Sequence, residues 1–510
     1  MSAVEVEGAV TAVSDPGTER KRWLALGVIC TAQLMVVLDL TVMNIALPSA
    51  QRALHFSTVD RQWVVTAYSL AAASLLLAGG KLSDLIGRKT AFLVGLIGFA
   101  VVSAIGGAAT NFTTLVAARA LQGVFSAVLV PTSLALLITT FSTPKDRAKA
   151  LGVFGAVAAG GGAIGLVLGG ALTDYLSWRW TLYINLVFAG VALVGGILLL
   201  DRQTTHEKFE LDVPGLLLAS TGLFCIVFGF SNAATHSWHS SGTWGALAAG
   251  VVLLALFAIW IGRAANPLLP ARILLDRTRA AGYISVFIAA LCLFAMFFFL
   301  TYYLQRTLGY SPIRTGVAFL PNSAVLAIAA NLATIVLLPR VGPRPVVFSG
   351  LIIAAGAMAW LAQLGAHTSY SKGILGPILL AGFGFGLVFA AAFTAGTYGV
   401  EPHDASVAAA TVSVGQQLGA SLGTALLNTL FASAVASYLA THTSTSSNSA
   451  TLNELAQAHG YDRAFWWTSG IAVGGAVIAG ALLRGGPLGD PARVAPVSAQ
   501  PTADLSATGT

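Results

Sequence analysis

The chain has 510 residues, 56% hydrophobic and 9% charged, with a mean hydropathy of +0.80 and a formal net charge of +7. Soluble domains carry roughly 25% charged residues, so a single water-soluble core of this length is excluded and most of the chain must face lipid. The basic residues are dispersed among short loops, which fits membrane topology rather than a nucleic-acid partner.

Residues 1–23 are small and polar, and are read as a disordered cytoplasmic N-terminus without a cleavable signal. Arg20, Lys21 and Arg22 then precede a full-length apolar run. Runs of about 20 apolar residues cross a bilayer as helices. Fourteen are expected, near 24–47, 62–80, 90–109, 113–141, 147–173, 179–200, 213–232, 243–262, 280–304, 312–338, 345–365, 373–399, 405–438 and 463–484. With the N-terminus inside, 19 Lys and Arg fall on the cytoplasmic side and 7 outside, so both termini are assigned to the cytoplasm of a multi-pass cell-membrane protein. The segment 439–462 is then external, flexible in its first half and with one or two amphipathic turns in its second. Residues 485–510 are read as a disordered cytoplasmic tail.

The chain also repeats. GRKTAFLVGLIG (87–98) aligns with GPRPVVFSGLII (342–353), and Pro144-x-Asp146 with Pro402-x-Asp404. The offsets, 255 and 258, agree on register. They equate a six-helix bundle at 24–200 with another at 280–484 and leave 213–262 as an inserted helix pair. The expected fold is therefore all-α and integral to the membrane, with fourteen transmembrane helices in a parallel repeat. Carriers built this way hold their site between the bundles at mid-membrane.

The first span carries Asp39 within LMVVLDLTVMNIALP (34–48). An acid at such depth is expensive and usually functional. Desolvation disfavours the charged form of a carboxyl, which suits it to taking up and releasing a proton. Met35 and Met43 flank it one turn away on one helical face, where methionine serves adaptable binding as well as it fills a core. Asn44 adds a polar contact. In the loop GGKLSDLIGRKT (79–90), Gly80 and Gly87 permit tight turns, Asp84 suits a helix N-terminus, and Arg88 and Lys89 are basic contacts. Arg119 is the one basic residue deep in a span. At about 1.5 Å per residue, Asp39 lies roughly 14 Å and Arg119 roughly 9 Å from the outer surface, so the two side chains can meet directly or share a water, and Arg119 is read as coupled to Asp39 in handling the proton. Gln122 and Ser126 share the face of Arg119.

The fifth span reads GAVAAGGGAIGLVLGG (155–170), a small-residue ridge of which Gly161, Gly165, Gly169 and Gly170 are part. With LDLTVMNIALP (38–48), ARALQGVFSAVLVP (118–131) and WRWTLYIN (178–185), these segments resemble the major facilitator superfamily, in particular its fourteen-span drug:proton antiporters of actinobacterial type. The 79–90 loop is similar to that family's G-x-L-x-D-x-x-G-R-K signature. The resemblance implies that Gly80, Asp84, Gly87, Arg88 and Lys89 latch the bundles when the cavity faces outward. The antiporter motif usually reads G-P-x-x-G-G, and Leu166 stands here where proline is usual. The glycine ridge is still expected to pack against the other bundle, without a proline kink.

Further along, His236 and His239 lack a third ligand and fit an interfacial loop better than a metal site. Cys30, Cys225 and Cys292 are isolated in apolar runs and imply neither disulfide nor metal. Phe294, Phe298 and Tyr302 in the ninth span, Phe389 in the twelfth and Gln416 in the thirteenth are candidates to line an aromatic substrate cavity. No acid appears in spans nine to fourteen, so Asp39 stands alone and monocationic or neutral lipophiles are expected over dications. No P-loop or cluster of catalytic side chains points to an enzyme. The sequence thus reads as a monomeric, cofactor-free carrier that exchanges a lipophilic small molecule for protons. A carrier of a specific endogenous metabolite on the same fold is the rival reading.

Overall fold

The computed structural model describes residues 16–58, 60–141, 143–201, 212–236, 238, 240–264, 271–365, 368–400, 405–442 and 449–486. All regular structure among them is helical. In chain order the helices are α1 (Pro16–Leu54), α2 (Gln62–Ile86), α3 (Arg88–Gly107), α4 (Phe112–Thr140), α5 (Pro144–Tyr175), α6 (Trp180–Leu199), α7 (Val213–His236) and α8 (Ser241–Ile261). A short α9 (Ala271–Leu274) precedes α10 (Arg277–Tyr302), α11 (Pro312–Leu332), α12 (Leu338–Val341), α13 (Pro343–Leu361), α14 (Leu375–Thr397), α15 (Ala405–His442) and α16 (Ser449–Leu482). Among the described residues, thirteen helical segments are long and apolar enough to cross a membrane. The 25-residue α2 is the fourteenth long helix, so each expected span coincides with one.

Polar side chains start several helices where the sequence places them. Asn111 Oδ1 accepts from the Thr114 amide at 2.8 Å, and Thr143 Oγ1 from that of Asp146 at 3.3 Å. Asp276 Oδ1 accepts from the amides of Thr278 and Arg279, both at 3.0 Å. The α2–α3 junction turns on Gly87, with φ +87°, and its repeat mate Gly342, with φ +78°, does the same before α13. Both lie in the left-handed region that glycine alone enters without strain.

One expectation is corrected and another is extended. Residues 16–23 are helical rather than disordered, because the first turns of α1 are tied down. Lys21 Nζ pairs with Asp201 at 2.7 Å, and Lys149 Nζ sits 4.7 Å over the Trp23 ring. Residues 449–462 are also helical, forming the start of α16. Rings hold that segment against α15: Tyr438 is 5.3 Å from His459 and Phe431 5.1 Å from Tyr461. Glu454 and Asp462 therefore lie on α16, beyond the apolar run expected for it. Residues 1–15 and 487–510, His239, and Pro402 and Asp404 of the second repeat match lie outside the described residues.

The packing repeats as the sequence does. In the first half α4 packs on α2 and α3, α1 on α5 and α6, and α3 on α6. In the second half α14 packs on α11 and α13, α10 on α15 and α16, and α13 on α16. The halves meet where α2 lies on α15 and α11 on α5, which is itself a symmetric exchange. α7 bridges α2 and α15: Ser220 Oγ donates to the Ser74 carbonyl at 3.0 Å, and Thr429 Oγ1 to that of Phe230 at 2.9 Å.

The end at which α1 starts is here the near end, and the opposite one the far end. The halves are joined toward the far end. Thr66 and Thr424 hydroxyls share a hydrogen bond of 3.0 Å, and Gln305 Nε2 donates to the Ile45 carbonyl at 2.9 Å. A Cβ on Gly316 would lie 2.1 Å from the Leu166 carbonyl oxygen, and one on Gly170 2.6 Å from Ile313 Cα, so α5 and α11 touch backbone to backbone. Toward the near end, by contrast, a Cβ on Gly152, Gly155, Gly160 or Gly162 of α5 would meet nothing within 4 Å.

Candidate functional site

Five helices of the first half converge on Asp39, which is 1% exposed. α1 brings Asp39, α4 brings Arg119 and Gln122, α3 Ser103, α6 Asn185 and α2 Tyr68. Arg119 Nη1 pairs with Asp39 Oδ2 at 2.5 Å. Gln122 Nε2 and Asn185 Nδ2 donate to Asp39 Oδ1 at 2.9 and 2.7 Å. The carboxylate therefore accepts from one cation and two amides, all buried. Charge-assisted bonds of this kind are what make a buried ion tolerable.

The partners are held in turn. Arg119 Nη1 also donates to Gln122 Oε1 at 2.8 Å, and Nε to the Val64 carbonyl at 3.1 Å. Its Cζ lies 4.6 Å from the Tyr68 ring centre, and Tyr68 Oη donates to Ser126 Oγ at 2.8 Å. Ser103 Oγ accepts from Gln122 Nε2 at 2.8 Å and from Asn185 Nδ2 at 3.3 Å, and donates to the Phe99 carbonyl at 2.6 Å. The arrangement is a closed polar core around one titratable carboxyl, with a direct link from its cation to the first turn of α2.

The expected meeting of Asp39 and Arg119 is thus a direct contact, with Gln122 touching both. Ser103, Asn185 and Tyr68 were not expected. Asn185 had a signal, as a lone amide inside the apolar sixth span. A buried serine or tyrosine gives none. The other candidates lie elsewhere. Met35 and Met43 are fully buried in two separate apolar clusters, and Asn44 Nδ2 turns back to the Leu40 carbonyl at 3.1 Å. Phe294 and Phe389 are half-buried and Gln416 is exposed. Phe298 and Tyr302 are buried against Arg61, one of the seven basic residues counted on the outer side.

The glycine ridge of α5 faces mainly its own half, which corrects the expected packing. Cβ atoms on Gly161, Gly165 and Gly169 would meet Leu34 and Val37, Thr41, and Val42 of α1. Gly170 alone of the four meets α11, in the gap that Gly316 completes. At the family-like loop, Lys89 Nζ donates to the carbonyls of Ile197 and Leu200 at 2.8 and 2.5 Å and so caps α6 within the first half. A Cβ on Gly80 would only touch Pro131, at 3.5 Å. Arg88 is half-buried, and the Asp84 side chain lies outside the described part.

Residues 29–424 match the family model of the Major Facilitator Superfamily. The chain belongs to the Major Facilitator Superfamily. It is 46% identical to the puromycin resistance protein pur8 of Streptomyces alboniger over 420 residues, 82% of each chain. It is 37% identical to the cephamycin export protein CmcT of Amycolatopsis lactamdurans, covering 77% of this chain and 82% of that one. The multidrug efflux pump LfrA of Mycolicibacterium smegmatis is 32% identical, with 66% and 67% covered. Among solved structures, a bacterial homologue of the human lysosomal transporter Spinster, inward-facing and unoccupied, superposes with a TM-score of 0.63 at 16% identity. It covers 91% of this chain and 97% of that one, and this likeness concerns the fold. The superfamily consists of multi-pass membrane transporters, so the chain is a transporter and not an enzyme.

Proposed function

We propose that the protein is a proton-coupled antiporter that exports lipophilic drugs or antibiotics across the cytoplasmic membrane by alternating access. The observation that carries this reading is the buried Asp39 carboxylate, held by Arg119, Gln122 and Asn185. The relatives named for antibiotic resistance and export give the cargo class. Both termini are cytoplasmic in this reading, so the near end faces the cytoplasm and the joined far end faces out. The conformation is then inward-facing, and Lys89, bound to α6, is not engaged as a latch.

In the mechanism, protonation removes the charge of Asp39 and with it the ion pair to Arg119. Arg119 also holds the Val64 carbonyl of α2, and α2 is the helix that meets α15 across the seam. The proton therefore acts on the helix that must move. Substrate and proton favour opposite arrangements of the bundles, and each weakens the other's binding by the same factor. Energy comes from the proton gradient, with no cofactor, and the unit is a monomer of two six-helix bundles and an inserted pair. Asp39 is the single acid of the central site, which favours monocationic or neutral cargo.

The test is proton release on adding substrate to purified protein. Wild type is expected to release protons and Asp39→Asn none. A wild type that releases none while binding substrate overturns antiport. Dications as the best substrates in a dye-efflux panel overturn the charge preference.

A further inference from the structure

Arg61, just before α2 at the far end, is 2% exposed. Its Nε and Nη2 both donate to Asn428 Oδ1 of α15 at 3.3 Å. Its Cζ lies 3.9 Å from the ring centre of Tyr302, 4.8 Å from that of Phe298 and 5.2 Å from that of Phe431. The cation belongs to the first half, and these partners all belong to the second. Among the described residues no carboxylate forms an ion pair with it. Arg306, four residues past Tyr302, adds like charge near Arg61.

Aromatic faces carry the negative lobe of the ring quadrupole and attract cations placed over them. Three rings and one amide oxygen, without a carboxylate, make a box suited to a large, weakly hydrated organic cation rather than to a metal ion. Guanidinium is such a cation. The box is also divided from its occupant by the very seam that holds the far end closed.

We propose that Phe298, Tyr302, Phe431 and Asn428 form a second binding site, for the cationic group of an organic monocation, which Arg61 fills while the far end is closed. The proposal rests on the alternating-access reading in one respect, that the halves part at this end. When they part, α2 withdraws Arg61 and the box is left facing the exit side. A guanidinium or alkylammonium group on the cargo then has the same three rings and the same oxygen to bind. On closing, Arg61 returns as a tethered competitor, whose attachment gives it a high effective concentration at the box. The cargo is displaced outward. A dication gains nothing further from a box with one acceptor and no acid.

The experiment titrates the purified full-length protein with tetramethylammonium and with methylguanidinium, by calorimetry. Arg61→Ala is expected to bind both about ten-fold more tightly than wild type, the scale of a desolvated cation–π contact. The gain is expected to vanish in Arg61→Ala/Tyr302→Leu. In a second readout, cysteines replace Thr66 and Thr424, whose hydroxyls meet at 3.0 Å. Disulfide yield should fall in Arg61→Ala, and in wild type it should fall on adding methylguanidinium, which competes with Arg61 for the box; a wild-type yield that does not respond overturns the competition. No affinity gain, or a gain that survives loss of Tyr302, overturns the proposal. Should Arg61→Ala fail to purify, Arg61→Gln removes the same charge and carries both measurements. Neither measurement uses a proton gradient or a drug. The box can therefore fail while antiport stands, and antiport can fail while the box stands.

Discussion

Arg119 and Arg61 are both buried, at 1% and 2% exposure, yet their charges are satisfied in opposite ways. Arg119 has a carboxylate partner in its own half, with two amides completing the acid's shell. Arg61 has rings and one amide oxygen, all from the other half. A pair inside one half keeps its partners when the halves part. A cation boxed across a seam keeps them in one arrangement only. The first design suits a group whose charge must change by protonation, and the second a contact that must be made and released.

The largest effect should come from Asp39. Asp39→Asn leaves Arg119 buried without its countercharge, and breaking such a pair costs about 3–5 kcal/mol. Proton release and gradient-driven export should both be abolished, with a lower melting temperature in detergent. Export that persists at wild-type rate would place the proton elsewhere. Arg119→Ala is next. The acid keeps the amides of Gln122 and Asn185 but loses its countercharge. The pH profile of transport should move, and an unmoved profile would break the asserted difference between the two arginines.

The acid site was legible because its rule is severe. A charge inside an apolar run has few innocent explanations, so Asp39 and Arg119 declared themselves, and helical rise put them within reach. The span pattern and the glycine turn at Gly87 were legible for a similar reason, since each follows from local chemistry. Ser103 and Tyr68 were not, because their role depends on which helix faces which. Arg61 was hidden by its place in the chain. Next to a predicted loop, a base looks solvated, and only packing reveals the rings around it. The α5 ridge misled in the same way: spacing shows that glycines share a face but not which helix they meet.

The far seam offers an intermediate effect. Gly316 has an ordinary helical backbone, yet a Cβ there would lie 2.1 Å from the Leu166 carbonyl oxygen. That atom is backbone, so α5 and α11 must separate to admit a methyl group. Overpacking of this kind costs about 1–3 kcal/mol, and it is paid only when the far end is closed. Gly316→Ala should therefore favour the open far end. Disulfide yield between cysteines replacing Thr66 and Thr424 should drop several-fold, with the Asp39 site unaffected. Gly161→Ala is the control, because the nearest atoms its Cβ would meet are the Leu34 and Val37 side chains of its own half, at 3.0 and 3.2 Å. Equal loss of cross-linking in both variants would mean that general loosening, rather than the seam, is being read.

The smallest effect expected is at Asn185. Its Nδ2 gives Asp39 Oδ1 a bond of 2.7 Å, but Gln122 still donates to the same oxygen at 2.9 Å after its removal. Ser103 likewise keeps Gln122 as a donor. Asn185→Ala leaves every buried polar partner with at least one bond, so the loss should be about 1 kcal/mol, the net worth of a typical hydrogen bond. Asn185→Asp differs sharply. It sets a second acid beside Asp39, where like charges cannot both ionise cheaply. Proton release per substrate should then become strongly pH-dependent while Asn185→Ala remains near wild type. If the two variants behave alike, Asp39 is not the group whose charge changes, and the contrast between the two arginines loses its meaning.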